Sequence, residues 1–175
     1  MSIVNKVAQS GLVTLKLEDF APQGEIVAFD LAPFLFKGLI LREKDFRQAM
    51  ADQDWSLFEG KVLAVFCSAD AIIPVWAYML VAVQAQPKAA GIYFGSVAET
   101  ETRIFLERIR QMDLEPYRDA RVVVKGCADK PVPEAAFLEV TRLLRPIVQS
   151  LMFGEPCSTV PLYKRALPRT PEQSG

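Results

Sequence analysis

Residues 61–84, KVLAVFCSADAIIPVWAYMLVAVQ, constrain the fold of this chain more than any other stretch. Val62, Leu63, Ala64, Val65 and Phe66 make an apolar run of strand length without polar alternation, the pattern of a strand covered on both faces in a parallel sheet. The run ends on Cys67, passes through Ser68-Ala69-Asp70, and enters an uncharged segment, 71–83, with Pro74 near its start. That segment predicts a buried helix. A thiol where a buried strand hands over to a helix lies at the sheet edge where α/β proteins place ligands, beside the positive end of a helix dipole.

The same grammar continues downstream. Residues 90–95 predict a short strand and 99–112 an amphipathic helix with Ile104, Phe105 and Ile109 inward. Residues 121–127 then predict a strand, and 133–148 a helix carrying Phe137, Val140, Leu144 and Val148 on its face. Such a β-α-β-α-β-α series implies an α/β fold with a mainly parallel sheet and helices on both faces, a Rossmann-like three-layer arrangement. Upstream, 12–17 and 25–31 read as strands around the turn Pro22-Gln23-Gly24, forming a hairpin or an N-terminal β arm, and 42–52 reads as a helix with Phe46, Ala49 and Met50 on one face. Trp55 and Phe58 anchor the connection that follows. Residues 151–167 show no clear period, and no repeat of solenoid period is visible. The expected organisation is one domain over 1–167, with an arm and helix in 1–60, the core in 61–150 and an irregular segment in 151–167, before a disordered tail, 168–175.

With 175 residues, 51% of them hydrophobic and 23% charged, the chain can build a real core. A formal charge of −1 supplies no field to recruit nucleic acid or an acidic membrane. Neither a signal peptide nor a run long enough to span a bilayer is evident, so a cytoplasmic protein is expected. The absence of histidine removes the commonest general base and the Ser-His and Cys-His nucleophile pairs.

Three cysteines remain, Cys67, Cys127 and Cys157, an odd number in a chain expected to be cytosolic, which argues against structural disulfides. Cys67 and Cys127 stand in matching contexts, VLAVFC-SAD and VVVKGC-AD, each before a helix. In one sheet with a switch point between their strands, the two would face each other across the ligand crevice. If the segment carrying Cys157 bends back, three thiolates make a soft site for zinc or an iron-sulfur cluster, with Asp70 or Asp129 available as a fourth ligand. The competing readings are a single reactive thiol, Cys67, carrying sulfur or electrons, and three inert core thiols in a non-catalytic adaptor. Asp70, close to Cys67, opposes thiolate formation. Arg142, Arg145, Lys164 and Arg165 read as a solvated basic face. The uncharged 71–83 helix has more apolar surface than one sheet can cover, which implies a homodimer or an arm laid over it.

The segments NKVAQSGL, LILREKDFR, CSADAIIPVWAYM, VVVKGCADKPVP and GEPCSTVPLYK, which contain all three cysteines, resemble a family of uncharacterised bacterial proteins classed as a domain of unknown function. The resemblance covers nearly the whole chain and transfers no catalytic residue. It implies an association with gene neighbourhoods for iron-sulfur cluster assembly, and hence assembly proteins as partners.

Overall fold

The computed structural model describes residues 11–126, 128–155 and 157–168. The expected tail after Pro168, residues 5–10 of the segment NKVAQSGL, and Cys127 itself lie outside the described residues. The elements run β1 (Leu12–Leu15), β2 (Ile26–Asp30), α1 (Glu43–Asp52), β3 (Val62–Phe66), α2 (Val75–Ala85), β4 (Gly91–Phe94), α3 (Val97–Arg110), β5 (Arg121–Val124), α4 (Glu134–Leu144), β6 (Ser150–Glu155) and β7 (Ser158–Lys164). The fold is mixed α/β, with four helices among the described residues and mainly parallel strand pairing, as the sequence predicts.

The strands divide between two sheets, ordered β2-β3-β4 and β1-β5-β6-β7. All neighbours are parallel except β6 and β7. The first two strands are therefore not a hairpin: β2 pairs with β3 and β1 with β5. Residues 151–167, expected to be irregular, form most of the β6–β7 hairpin. Pro161 hid it, because a proline inside a run argues against a strand except at an edge, and β7 is an edge strand.

The chain forms two compact units, 22–104 and 1–21 with 105–175, the boundary falling inside α3. Each unit is built on the same β-α-β-α-β plan, and from the first helix onward the two plans coincide at a constant offset of 59 residues, as from Phe46 to Phe105. In the 22–104 unit, Phe46 and Met50 of α1, Leu63 and Val65 of β3, and Ala77, Val81 and Ala85 of α2 form one core. In the other, Phe105 and Ile109 of α3, Val122 and Val124 of β5, and Ala136, Val140 and Leu144 of α4 do the same. The i, i+2 pair on the strand and the i, i+4, i+8 row on the helix are the two periods by which a helix lies on a sheet.

The connections repeat as closely. Oδ1 of Asp54 accepts from Ser56 N–H, and Oδ1 of Asp113 from Glu115 N–H, each at 3.0 Å. Gly60 and Asp119, just before β3 and β5, both take positive φ, +72° and +56°; aspartate tolerates this better than most residues. Pro74 and Pro133 precede α2 and α4 in extended backbone. Gly95 and Gly154 close the third strands at φ +127° and +126°.

Gly154 has a further constraint. A Cβ there would lie 2.5 Å from the Ser158 carbonyl oxygen, a backbone atom held in the hairpin, whereas one at Gly95 would meet only the Glu99 side chain at 3.0 Å. Gly154→Ala is expected to cost about 2–3 kcal/mol and Gly95→Ala about 1–2 kcal/mol, measured by urea unfolding. Equal losses would show that the hairpin yields.

In the second unit Glu139, on α4, has a side chain only 12% exposed and receives Arg110 Nε at 2.7 Å and Arg142 Nη2 at 2.8 Å. The bonds from Arg142, then Arg110, outweigh burial and hold its carboxyl at about 2. A carboxyl depressed on folding stabilises fully above its unfolded value and loses that contribution as pH falls through the folded one. Stability should therefore decline from about pH 4.5 to about 2, and Glu139→Gln should flatten that part of the pH–stability curve. An unchanged acid limb would remove this carboxylate from the account.

Candidate functional site

At the carboxyl ends of β2, β3 and β4, three loops of the 22–104 unit carry polar groups. Asp30, the last residue of β2, is the organiser. Its Oδ1 accepts from Ala32 N–H and from Ser68 N–H, both at 2.9 Å, and its Oδ2 accepts from Ser68 Oγ at 2.5 Å. Partial desolvation works against the charged form, and the bonds from Ser68 Oγ and the two amides overcome it, leaving Asp30 below its ordinary value. The carboxylate thus ties the start of the 67–74 loop to the neighbouring strand.

Cys67 leads that loop. It is half-buried, packs on the edge of the unit's core, and its Sγ donates to Ala69 O at 3.6 Å. Burial pushes the Tyr78 phenol above its ordinary value, and the charge of an ionised Cys67 adds to the shift, so thiol and phenol share one neighbourhood. Helix α2 begins only at Val75, because Pro74 is extended. The thiol therefore lies outside the first helical turn, within which a dipole effect acts. At the end of β4, Ser96 Oγ accepts from Glu99 N–H at 3.2 Å, while Glu99 Oε2 accepts from Ser96 N–H at 2.7 Å; this reciprocal cap starts α3 and lowers the Glu99 carboxyl.

The remaining expected ligands are placed differently. Cys157 is exposed in the β6–β7 hairpin, at the carboxyl end of β6. Asp70 and Asp129 are exposed, and Asp129 N–H donates to Glu18 Oε2 at 2.7 Å. Among the described residues no three Cys, Asp or Glu side chains lie where they could share an ion. The strands before Cys67 and Cys127 belong to different sheets, so no switch point lies between them: β2 and β4 occupy both sides of β3. At the offset of 59, moreover, Cys67 corresponds to Gly126 and Ser68 to Cys127, one position out of the register the sequence suggests. The basic residues near Cys157 in sequence are engaged individually: Arg142 with Glu139, Arg165 with Asp119, and Arg145 over the Tyr163 ring.

Sequence reasoning missed Asp30, whose signal, an acidic residue closing an apolar run, is too common to single it out. Asp30→Ala should free the 67–74 loop and speed alkylation of Cys67 by about fivefold or more, the factor for about 1 kcal/mol of lost closure. An unchanged rate, read by mass spectrometry of the Cys67 peptide, would mean that the loop is held elsewhere.

A family model described as "Protein of unknown function (DUF2480)" matches residues 1–165, and the chain belongs to that family. No curated protein and no solved structure matches it. No helix among the described residues is long and apolar enough to cross a membrane.

Proposed function

We propose that this DUF2480 protein is a binding scaffold, a cytoplasmic dimeric adaptor whose contact surface is the outer face of α2. One contrast between the units supports the reading. On α2 and the loop before it, Ile72, Val75, Met79 and Val83 are 93%, 74%, 63% and 69% exposed. The corresponding exposed positions on α4 and the loop before it are Pro131, Glu134, Leu138 and Arg142. Two of these four are charged and Leu138 is 76% exposed, whereas all four positions of the other unit are apolar. The fold does not require the apolar stripe, and exposed apolar patches mark interaction sites.

If the stripe is a contact surface, Met79→Lys/Val83→Lys is expected to fold normally. At concentrations too low for association, its thermal midpoint should stay within about 4 °C of the parent by circular dichroism, as for surface substitutions. Loss of the cooperative transition would make the stripe part of the core and end this reading.

A second reading puts chemistry on the cysteines: sulfur or electron carriage on Cys67, or zinc or an iron-sulfur cluster bound through Cys67, Cys127 and Cys157, in service of cluster assembly. Its support is the half-buried Cys67 at the carboxyl edge of its sheet, with its loop tied to Asp30. Metal and acid-labile sulfide content, measured on protein purified without air, tests it. Stoichiometric metal lost in Cys127→Ser supports the metal form; metal-free protein with thiols inert to alkylation sinks both forms.

A further inference from the structure

We infer that the surface formed by α2 and β4 is the interface with a second copy of this chain, β4 pairing antiparallel with β4 of the other copy and the two α2 helices lying side by side across the twofold axis. The inference rests on the scaffold reading and names its partner. Three observations carry it.

First, the units differ at one place in the sheet. β6, the third strand of one plan, is followed by β7, which pairs antiparallel along its outer side and sets Val160 opposite Phe153. Among the described residues β4, the third strand of the other, is the last strand of its sheet. Phe94 and Phe153 occupy the same position, and each ring meets an aromatic ring on the helix edge-on: Tyr78 at 5.2 Å and Phe137 at 5.9 Å. Phe153 is 37% exposed and Phe94 62%. A groove of about 260 Å³, lined in part by Tyr78, Met79, Ala82 and Phe94, runs beside it. The molecule itself therefore shows what fits beside such a strand: another strand, antiparallel, carrying apolar side chains.

Second, the surface is suited to meeting itself. A twofold contact sets a patch against its own copy, so any net charge on it is repelled by the same charge. The α2 sequence VWAYMLVAVQA and the β4 sequence GIYF carry no charged residue. Antiparallel pairing of β4 with its copy would extend the sheet to six strands and lay the apolar stripes of two α2 helices together, as side chains from helices flanking a common sheet pack.

Third, the exposed apolar side chains are large and gathered on these elements: Ile72, Val75, Met79, Val83 and Phe94 are each more than 60% exposed, and a standard interface covers ~800 Å² on each partner.

The test is sedimentation equilibrium of the full chain at micromolar concentrations, combined with hydrogen exchange of the β4 amides on dilution. A dimer is expected, with β4 amides that lose protection as it dissociates. Met79→Lys should raise the dissociation constant by about tenfold or more, and Leu138→Lys, at the matching position of α4, should leave it unchanged. A monomer at all concentrations overturns the proposal, and so does a dimer indifferent to Met79→Lys or one with β4 protection independent of concentration. A monomer whose Met79→Lys/Val83→Lys variant still folds cooperatively would refute the second copy, and with it the dimeric form of the adaptor, while leaving the outer face of α2 as a contact surface.

Discussion

Two parallel strands cannot be joined by a tight turn, and every strand pair here but one is parallel. Each pair therefore needs a connection that leaves the sheet and returns, and every such connection carries a helix. The constraint explains why the plan repeats so closely. Small residues on the second helix, Ala77 and Val81 in one unit and Ala136 and Val140 in the other, bring its backbone near the strand pairs Leu63/Val65 and Val122/Val124. Bulkier residues on the first helix, Phe46 and Met50 or Phe105 and Ile109, fill the space beside them. Turn chemistry then sets the ends: an aspartate before the strand, a proline before the second helix, and a glycine at the end of the third strand.

Much of this was legible in the sequence. The unbroken apolar run Val62–Phe66 and the 3.6-residue periods around Phe46, Ile109 and Val140 have direct physical causes, and the elements stand where they point. Strand pairing was not legible, because a strand's apolar pattern says that both faces are covered and nothing about which neighbour sits beside it. β1 and β2 look alike from their residues yet join different sheets. The repeat was half visible in the matching contexts of Cys67 and Cys127. Aligning on the thiols shifted the register by one, and the matches that carry the plan, Phe46 with Phe105, Pro87 with Pro146 and Gly95 with Gly154, lie away from them.

Of the site, the sequence identified Cys67 at the end of its strand. It did not identify the clamp on its loop, since Asp30 and Ser68 are 38 residues apart and meet only because β2 and β3 are neighbours. The exposed stripe was anticipated from an uncharged helix with more apolar surface than one sheet can hide. Its significance became apparent only through α4, where Glu134 and Arg142 stand at the positions that Val75 and Val83 occupy on α2.

The placement of β1 bears on how the chain acquires its shape. β1 precedes the 22–104 unit, yet its partner β5 begins only at Arg121, and that unit is encoded wholly between them. That inserted unit is contiguous, so on a growing chain it can close before β5 has been synthesised. The other unit requires a segment made before the inserted unit to find its partner more than a hundred residues later, the kind of long-range pairing that folds slowly. Domains emerging from the ribosome generally fold as units in the order in which they are completed. Order of synthesis and order of folding therefore differ here: β1 precedes the inserted unit in the chain and is paired after it.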